Sequence, residues 1–321
     1  MKTVLVNKPI HPDALKRLSQ EVEVLTPFEA SEEEQIEILS GANGIFHCLG
    51  LDITAGIIDR CKTLEVIGRQ GAGVESIDVD AATRKNIQVV YAPYGPTEST
   101  AEHTFALMMA AARKLSLLDR NVRVGQFNIR DRVVGRELFE ARVGIIGFGR
   151  IGKRFARMCK AALDMEVHVF DPFVSQPDAL EWGAVYETDV VEMAAKVDVL
   201  SLHCPLTNQT RHVVDRKVIQ AMKPNALIIN AARGPLMDES ALIEALRQEK
   251  IAGAGLDVFD PEPPADDNPL FLLDNVVLTP HIAAFTDEGR RRMGLTVAED
   301  VLSVLRGDPP RYPLNTLGKE K

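Results

Sequence analysis

Three glycines and one aspartate carry the first chemistry that can be read in this chain. Val143, Ile145 and Ile146 form an apolar run with the signature of a buried parallel strand, and Gly147, Gly149 and Gly152 follow in G-x-G-x-x-G spacing. Gly147 permits a tight turn, Gly149 lets the main chain approach a diphosphate, and Gly152 lets the next helix lie close to the strand. Free N–H groups at that helix's start, around Arg150 and Ile151, suit an anion. A second strand, Glu166 to Phe170, ends at Asp171, about 20 residues further on, where a carboxylate can accept hydrogen bonds from an adenosine ribose. No arginine follows closely to take a 2′-phosphate, so the motif predicts a dinucleotide site for NAD rather than NADP.

The bulk properties narrow the classes. At 321 residues the chain is long enough for two cores, and 45% hydrophobic with 26% charged residues is ordinary globular composition. A net charge of -9 without a basic patch argues against a nucleic-acid surface, while one or two local arginines would suffice for a small anionic substrate. Cys48, Cys61, Cys159 and Cys204 are scattered, with no C-x-x-C pair and no metal-ligand spacing, as expected of reduced thiols in a cytoplasmic protein without a metal. Met1 to Asn7 reads as a strand without signal-peptide architecture, and the longest apolar stretch, Phe105 to Ala112, is too short to span a bilayer.

Three later segments follow the glycine motif in order: Ile229-Asn230-Ala231-Ala232-Arg233-Gly234-Pro235, Leu256-Asp257-Val258-Phe259-Asp260-Pro261-Glu262-Pro263-Pro264, and Leu278-Thr279-Pro280-His281-Ile282-Ala283-Ala284. With Gly71-Ala72-Gly73-Val74, Thr100-Ala101-Glu102 and Leu202-His203-Cys204-Pro205-Leu206-Thr207, they resemble the D-isomer-specific 2-hydroxyacid dehydrogenase family over nearly the whole chain. The 3-phosphoglycerate dehydrogenase and hydroxypyruvate reductase branches look most similar. The resemblance implies an NAD-dependent oxidoreductase interconverting a short 2-keto acid (hydroxypyruvate, glyoxylate or 3-phosphohydroxypyruvate) and its D-2-hydroxy acid.

Carried onto this sequence, the resemblance implies that Arg233, Glu262 and His281 are catalytic. The physics agrees with each. An arginine fork suits a carboxylate and a polarised carbonyl; an imidazole can give a proton in reduction and take it back in oxidation; a glutamate on its other ring nitrogen fixes the tautomer and favours the imidazolium. The same resemblance places Thr100, His203, Cys204, Pro205, Ala231, Ala232, Asp257 and Ala283 with the cofactor, Arg233 and His281 at its reactive end, and Asp257 near the nicotinamide carboxamide. Backbone amides of Ala72, Gly73 and Val74 are expected to hold the substrate carboxylate, and Arg69 and Arg84 match positions that could face a phosphate. Two other readings stay open: an NAD-sensing interaction protein of the corepressor type, and a phosphite-type dehydrogenase. Formate enzymes are expected to have Gln in place of Glu262.

The elements that must position these residues alternate strand and helix, which implies parallel sheets with helices on both faces. Val4 to Val6, Val22 to Leu25, Gly44 to Phe46, Glu65 to Ile67 and Ile87 to Val90 read as strands of a first domain, with helices from Pro12 to Ser19, Ser31 to Leu39 and Thr54 to Cys61. A loop with Pro93, Gly95 and Pro96 leads into one long helix from about Ser99 to Arg120, after which the second strand-helix series runs to Leu278. The first domain lacks a closing helix, so the final one, Asp287 to Leu305, is assigned to it. The expectation is therefore a Rossmann NAD domain, residues 99–287, inserted in a flavodoxin-like substrate domain of residues 1–98 and 288–321, the two crossings forming a hinge. The long helix has more apolar residues than one face requires, and the resemblance implies that it packs on its twofold mate in a homodimer.

Overall fold

The computed structural model describes residues 1–318, which form two compact α/β units, Met1–Pro96 with the chain from Ala284 onward, and Thr97–Ala283.

The first unit holds an all-parallel sheet of β1 (Thr3–Val6), β2 (Glu23–Leu25), β3 (Gly44–His47), β4 (Val66–Arg69) and β5 (Gln88–Tyr91), in the order β2-β1-β3-β4-β5, which is flavodoxin-like. Helices cover both faces, so the central strands have no solvent side: Val4, Leu5, Val6, Ile45, Phe46, Val66 and Ile67 are all fully buried. Helix Asp287–Arg306 returns to close one face, presenting Met293, Val297 and Val301 to the sheet. It lies close because β4 carries Gly68, where a Cβ would stand 2.4 Å from Val301 and 2.7 Å from Val297. Thr286 caps its start and Gly307, at φ 87°, ends it.

The second unit holds β6 (Arg142–Ile146), β7 (Glu166–Phe170), β8 (Val185–Tyr186), β9 (Val199–Leu202), β10 (Leu227–Asn230), β11 (Gly253–Leu256) and β12 (Val276–Leu278). All pair in parallel in the order β12-β11-β10-β9-β6-β7-β8. This is the doubly wound dinucleotide-binding order, and its direction reverses between β6 and β9, so the C-terminal ends of those strands open a crevice.

The long helix expected from Ser99 to Arg120 is two helices, Thr97–Ala112 and Leu115–Arg123. Lys114 adopts a left-handed conformation at φ 53°, and the Ala112 carbonyl accepts instead from the Arg136 amide at 2.7 Å. Gly135 makes this docking feasible, since a Cβ there would meet the Arg113 backbone at 3.2 Å. The apolar surplus of the first helix is used inside the unit. Leu107 and Met108 are buried, and Gly255 on β11 admits Leu107, whose Cβ lies 3.1 Å from an added methyl. Two short elements had no sequence signal, helix Val79–Arg84 and strand β8, because neither is long enough to show a period. Among the described residues no helix is long and apolar enough to cross a membrane.

Candidate active site

The glycine turn after β6 shows why each glycine stands where it does. Gly147 has φ 92°, and a Cβ there would fall 2.5 Å from the Cys204 nitrogen and 2.7 Å from its Cα, where the chain leaving β9 crosses the turn. A Cβ on Gly152 would meet the Gly147 carbonyl at 2.3 Å, so helix Arg150–Leu163 can seat only on glycine. Gly149 differs. Nothing lies within 4 Å of its missing Cβ, and as N-cap it gives the helix no side-chain cap, which leaves first-turn amides, near exposed Arg150 and half-buried Ile151, for an outside acceptor.

Asp171, just past β7, holds this turn in place. Its Oδ2 accepts from the Phe148 amide at 2.7 Å and its Oδ1 from the Phe173 amide at 2.8 Å. Each carboxylate oxygen retains a second lone pair for a ribose hydroxyl. An open cradle, uncapped helical amides and a carboxylate beside them fit the diphosphate and ribose of NAD.

Across the crevice, His203 lies under Phe155, ring centroids 5.1 Å apart, with Nε2 2.9 Å from the Ser201 hydroxyl. Burial pushes its imidazole down to about 3 and the Cys204 thiol up to about 11, so both are neutral near pH 7. Pro205 is exposed. His203 makes a prediction for stability. The unfolded chain takes up a proton near the ordinary value of 6.5, whereas the folded chain resists it, so stability holds above that value and is lost as the pH falls toward 3. The slope is at most about 1.4 kcal/mol per pH unit for this group. Urea melts at several values between pH 7 and pH 5 should show a shallower decline for His203→Asn than for the unchanged chain; parallel slopes would reject this role.

Arg233, Glu262 and His281 come from three successive loops at the C-terminal ends of β10, β11 and β12. His281 Nδ1 lies 2.7 Å from Glu262 Oε2, and Glu262 Oε1 accepts from the Phe259 amide at 3.0 Å. The carboxylate thus holds one ring nitrogen and is itself aimed by the backbone. His281 is left-handed at φ 51°, and its amide donates to the Asp257 carbonyl at 2.7 Å. A left-handed non-glycine residue is a strained feature that its surroundings must impose.

Those surroundings centre on Asp257, whose side chain is fully buried. Its Oδ1 accepts from the Thr279 hydroxyl at 2.6 Å and the Ile282 amide at 2.9 Å, and its Oδ2 from the Ala283 amide at 2.8 Å. Burial alone would push its pKa up, but bonds from His103, Thr279 and the Ile282 and Ala283 amides outweigh burial and hold the carboxyl below the usual range. Asp257 is therefore occupied in clamping the loop that bears His281. His103 Nε2 reinforces the clamp, 3.0 Å from the Thr279 hydroxyl and 3.4 Å from Asp257.

Asn230 does the same for Arg233. Fully buried at the end of β10, it accepts from the Ala232 amide at 3.0 Å and donates to the Arg233 carbonyl at 2.8 Å. Arg233 Nη1 donates to the Ala232 carbonyl at 2.6 Å. Ala231 and Ala283 are buried around these loops, and Thr100 is buried in helix Thr97–Ala112, where its carbonyl accepts from Thr104. Asn230, Thr279 and His103 were not singled out from sequence. A polar residue ending an apolar strand was the available signal for the first.

In the first unit, Arg69 ends β4 at 7% exposure and donates Nε to the Gly73 carbonyl at 2.8 Å, so it braces the Gly71–Val74 loop. Ala72 is exposed, with Gly73 and Val74 half-buried. Arg84 is not brought to this loop. Helix Val79–Arg84 runs back along the sheet, and the chain after it enters β5 at Gln88, which pairs with Val66 at the start of β4. Arg84 is exposed and precedes the start of β5, whereas Arg69 is the last residue of β4.

Residues 105–283 match the model of the D-isomer specific 2-hydroxyacid dehydrogenase, NAD binding domain. The chain belongs to this family. It is 42% identical to the D-3-phosphoglycerate dehydrogenase of Methanocaldococcus jannaschii over its whole length, while spanning only 62% of that protein. It is 35% identical to the hydroxypyruvate reductase of Thermotoga maritima, with 94% of this chain and 98% of that one covered. A glyoxylate reductase structure from Paecilomyes thermophila superposes with a TM-score of 0.84 at 29% identity, over 98% of each chain. As a member of the 2-hydroxyacid dehydrogenases, the chain carries the family's NAD-binding domain, and the glycine turn lies within the matched residues.

Proposed function

We propose that this chain interconverts a short 2-keto acid and its D-2-hydroxy acid, with Arg233, Glu262 and His281 as the reacting side chains. The observation that carries this reading is the His281–Glu262 pair at 2.7 Å, held on a buried clamp in an NAD-binding scaffold beside the Arg233 loop. When bound, NADH supplies the reducing equivalent. Arg233 grips the substrate carboxylate and polarises the carbonyl, since its planar fork offers several donors at once. His281 delivers a proton to the carbonyl oxygen from Nε2, because Nδ1 is engaged by Glu262. In oxidation the same nitrogen takes the proton back. The amides of Ala72, Gly73 and Val74, braced by Arg69, are the further ligands of the carboxylate.

A glutamate at this place suits proton transfer, because its carboxylate holds Nδ1 at 2.7 Å and fixes the orientation of the ring. Glu262→Gln keeps a hydrogen-bonding group and removes the charge. The rate of reduction should then fall by roughly tenfold or more, as loss of the group that orients an acid–base residue implies, read from initial rates with saturating NADH. Normal activity in this variant would remove Glu262 from the mechanism. Two copies of the chain associating through the second helix is part of the same reading, supported by exposed Leu115, Val122 and Val124 in and just after Leu115–Arg123.

A further inference from the structure

Glu262 stands on a stretch that packing alone does not hold. From Asp260 to Asn268 the chain runs Asp-Pro-Glu-Pro-Pro-Ala-Asp-Asp-Asn, with residues 261–263 and 265–267 exposed and no N–H on the prolines to anchor it. Both ends of this stretch converge on one side chain. Glu239 Oε2 accepts from the Asp260 amide at 3.2 Å, and Glu239 Oε1 accepts from Asn268 Nδ2 at 2.9 Å. Asn268 is buried, and its Oδ1 accepts from the Leu270 amide at 2.9 Å, which ties that end to a fully buried leucine of the core. Arg211 also reaches Asp260, but at 3.5 Å and in the open, where an ion pair contributes little.

Glu239 opens helix Glu239–Arg247, six residues after Arg233. Gly234, between them, lies against the Phe259 carbonyl with no room for a Cβ. The segment bearing Arg233 therefore touches the segment bearing Glu262 twice, through the backbone at Phe259 and through the Glu239 carboxylate. Two donors face that carboxylate, and only a group with an acceptor on each side satisfies both. Glutamine has one acceptor and one donor, so in this place it would set an NH2 against either the Asp260 N–H or the Asn268 NH2.

We infer that Glu239 is a positioning residue: its two oxygens pin both ends of the Asp260–Asn268 stretch and so set where Glu262 meets His281. The catalytic consequence rests on the reaction proposed above; the pinning does not. The test exchanges donor and acceptor across the contact. Glu239→Gln opposes two donors, and Asn268→Asp opposes two carboxylates. Made together, the changes restore a match, because the new NH2 faces the new carboxylate, whose other oxygen still accepts from Leu270. Four quantities are measured on the full chain: kcat and KM for whichever of glyoxylate, hydroxypyruvate and 3-phosphohydroxypyruvate it reduces fastest, NADH affinity, the urea midpoint, and amide exchange at Asp260 and Leu270. Each single change should lower kcat roughly ten- to a hundredfold, the range for a small misplacement of reacting groups, with NADH affinity unchanged. The double change should recover most of that loss. At whichever end Glu239→Gln loses its acceptor, the Asp260 or the Leu270 amide should exchange roughly fivefold or more faster, as loss of one hydrogen bond implies, and slow again in the double variant. Single variants that are less stable in urea but keep kcat well below their melting temperature would make Glu239 a structural residue only and overturn the positioning role. A double variant no better than either single overturns it as well. If the unchanged chain reduces none of the acids, the proposed reaction fails and exchange still decides the pinning: equal exchange at both amides in all the chains overturns it.

Discussion

His281→Asn is expected to lower kcat for 2-keto acid reduction by roughly 10²- to 10⁴-fold, the range that a positioned acid–base group contributes. Asparagine is the informative replacement because it tolerates the left-handed backbone that His281 adopts at φ 51°, whereas alanine would add backbone strain to the lost chemistry. It still accepts no proton near neutrality. The clamp on the loop is made by the Asp257 carboxylate and by main-chain atoms, so it survives the change. The glycine turn lies after β6, so NADH affinity should stay within a few-fold. Trp182 offers a direct readout of that affinity. It is the only tryptophan of the chain, and its ring meets Phe148 edge-on at 5.9 Å, next to the turn that Asp171 fixes. A variant keeping more than about a tenth of kcat would be outside the range for a general acid and would remove His281 from that role.

Gly234→Ala should be the most damaging single methyl in the site. A Cβ there would lie 1.8 Å from the Phe259 carbonyl oxygen, 2.1 Å from its carbon and 2.8 Å from the Asp260 nitrogen. All three are main-chain atoms, so no rotamer relieves the clash, and the loop after β11 has to move. That loop is what aims Glu262: the Phe259 amide donates to Glu262 Oε1, and the Asp260 amide to Glu239 at 3.2 Å. The variant should therefore lose about 3 kcal/mol or more of stability, at the upper end for overpacking, together with the alignment of Glu262 and His281. Denaturant melts and kcat measured well below the new melting temperature separate the two effects. A stable variant with unchanged kcat would mean that the loop is not fixed as the structure shows.

Much of the frame was legible because it rests on strong local signals. Buried parallel strands are continuous apolar runs, and the glycine spacing requires a particular turn, so the positions of β6 and β7 and the place of Asp171 could be read directly. The break between Thr97–Ala112 and Leu115–Arg123 could not, since nothing in Arg113-Lys114 announces a left-handed residue. That break depends on Gly135 and Arg136, which are distant in sequence. The clamps around the site were hidden for the same reason. Asp257, expected near the nicotinamide, also clamps the loop that bears His281, through bonds spanning more than twenty residues. Arg69 and Arg84, close in sequence, were paired as phosphate ligands. The six-residue helix between them brings the chain back to the start of β5, so Arg69 stands at the end of β4 and Arg84 close before the start of the neighbouring strand. Gly234 stood in plain view within a recognised segment, yet its reason, contact with the Phe259 carbonyl, exists only in three dimensions.

The central claim is that this chain moves reducing equivalents between NAD(H) and the C2 position of a short keto acid with D stereochemistry. The most direct test follows NADH oxidation with glyoxylate, hydroxypyruvate, pyruvate, phenylpyruvate and 3-phosphohydroxypyruvate, and resolves the configuration of each chiral product. NADH consumption with at least one of these acids, giving the D-hydroxy acid and abolished in His281→Asn, is the predicted result. No consumption with any of them despite NADH binding, or an L product, would contradict it.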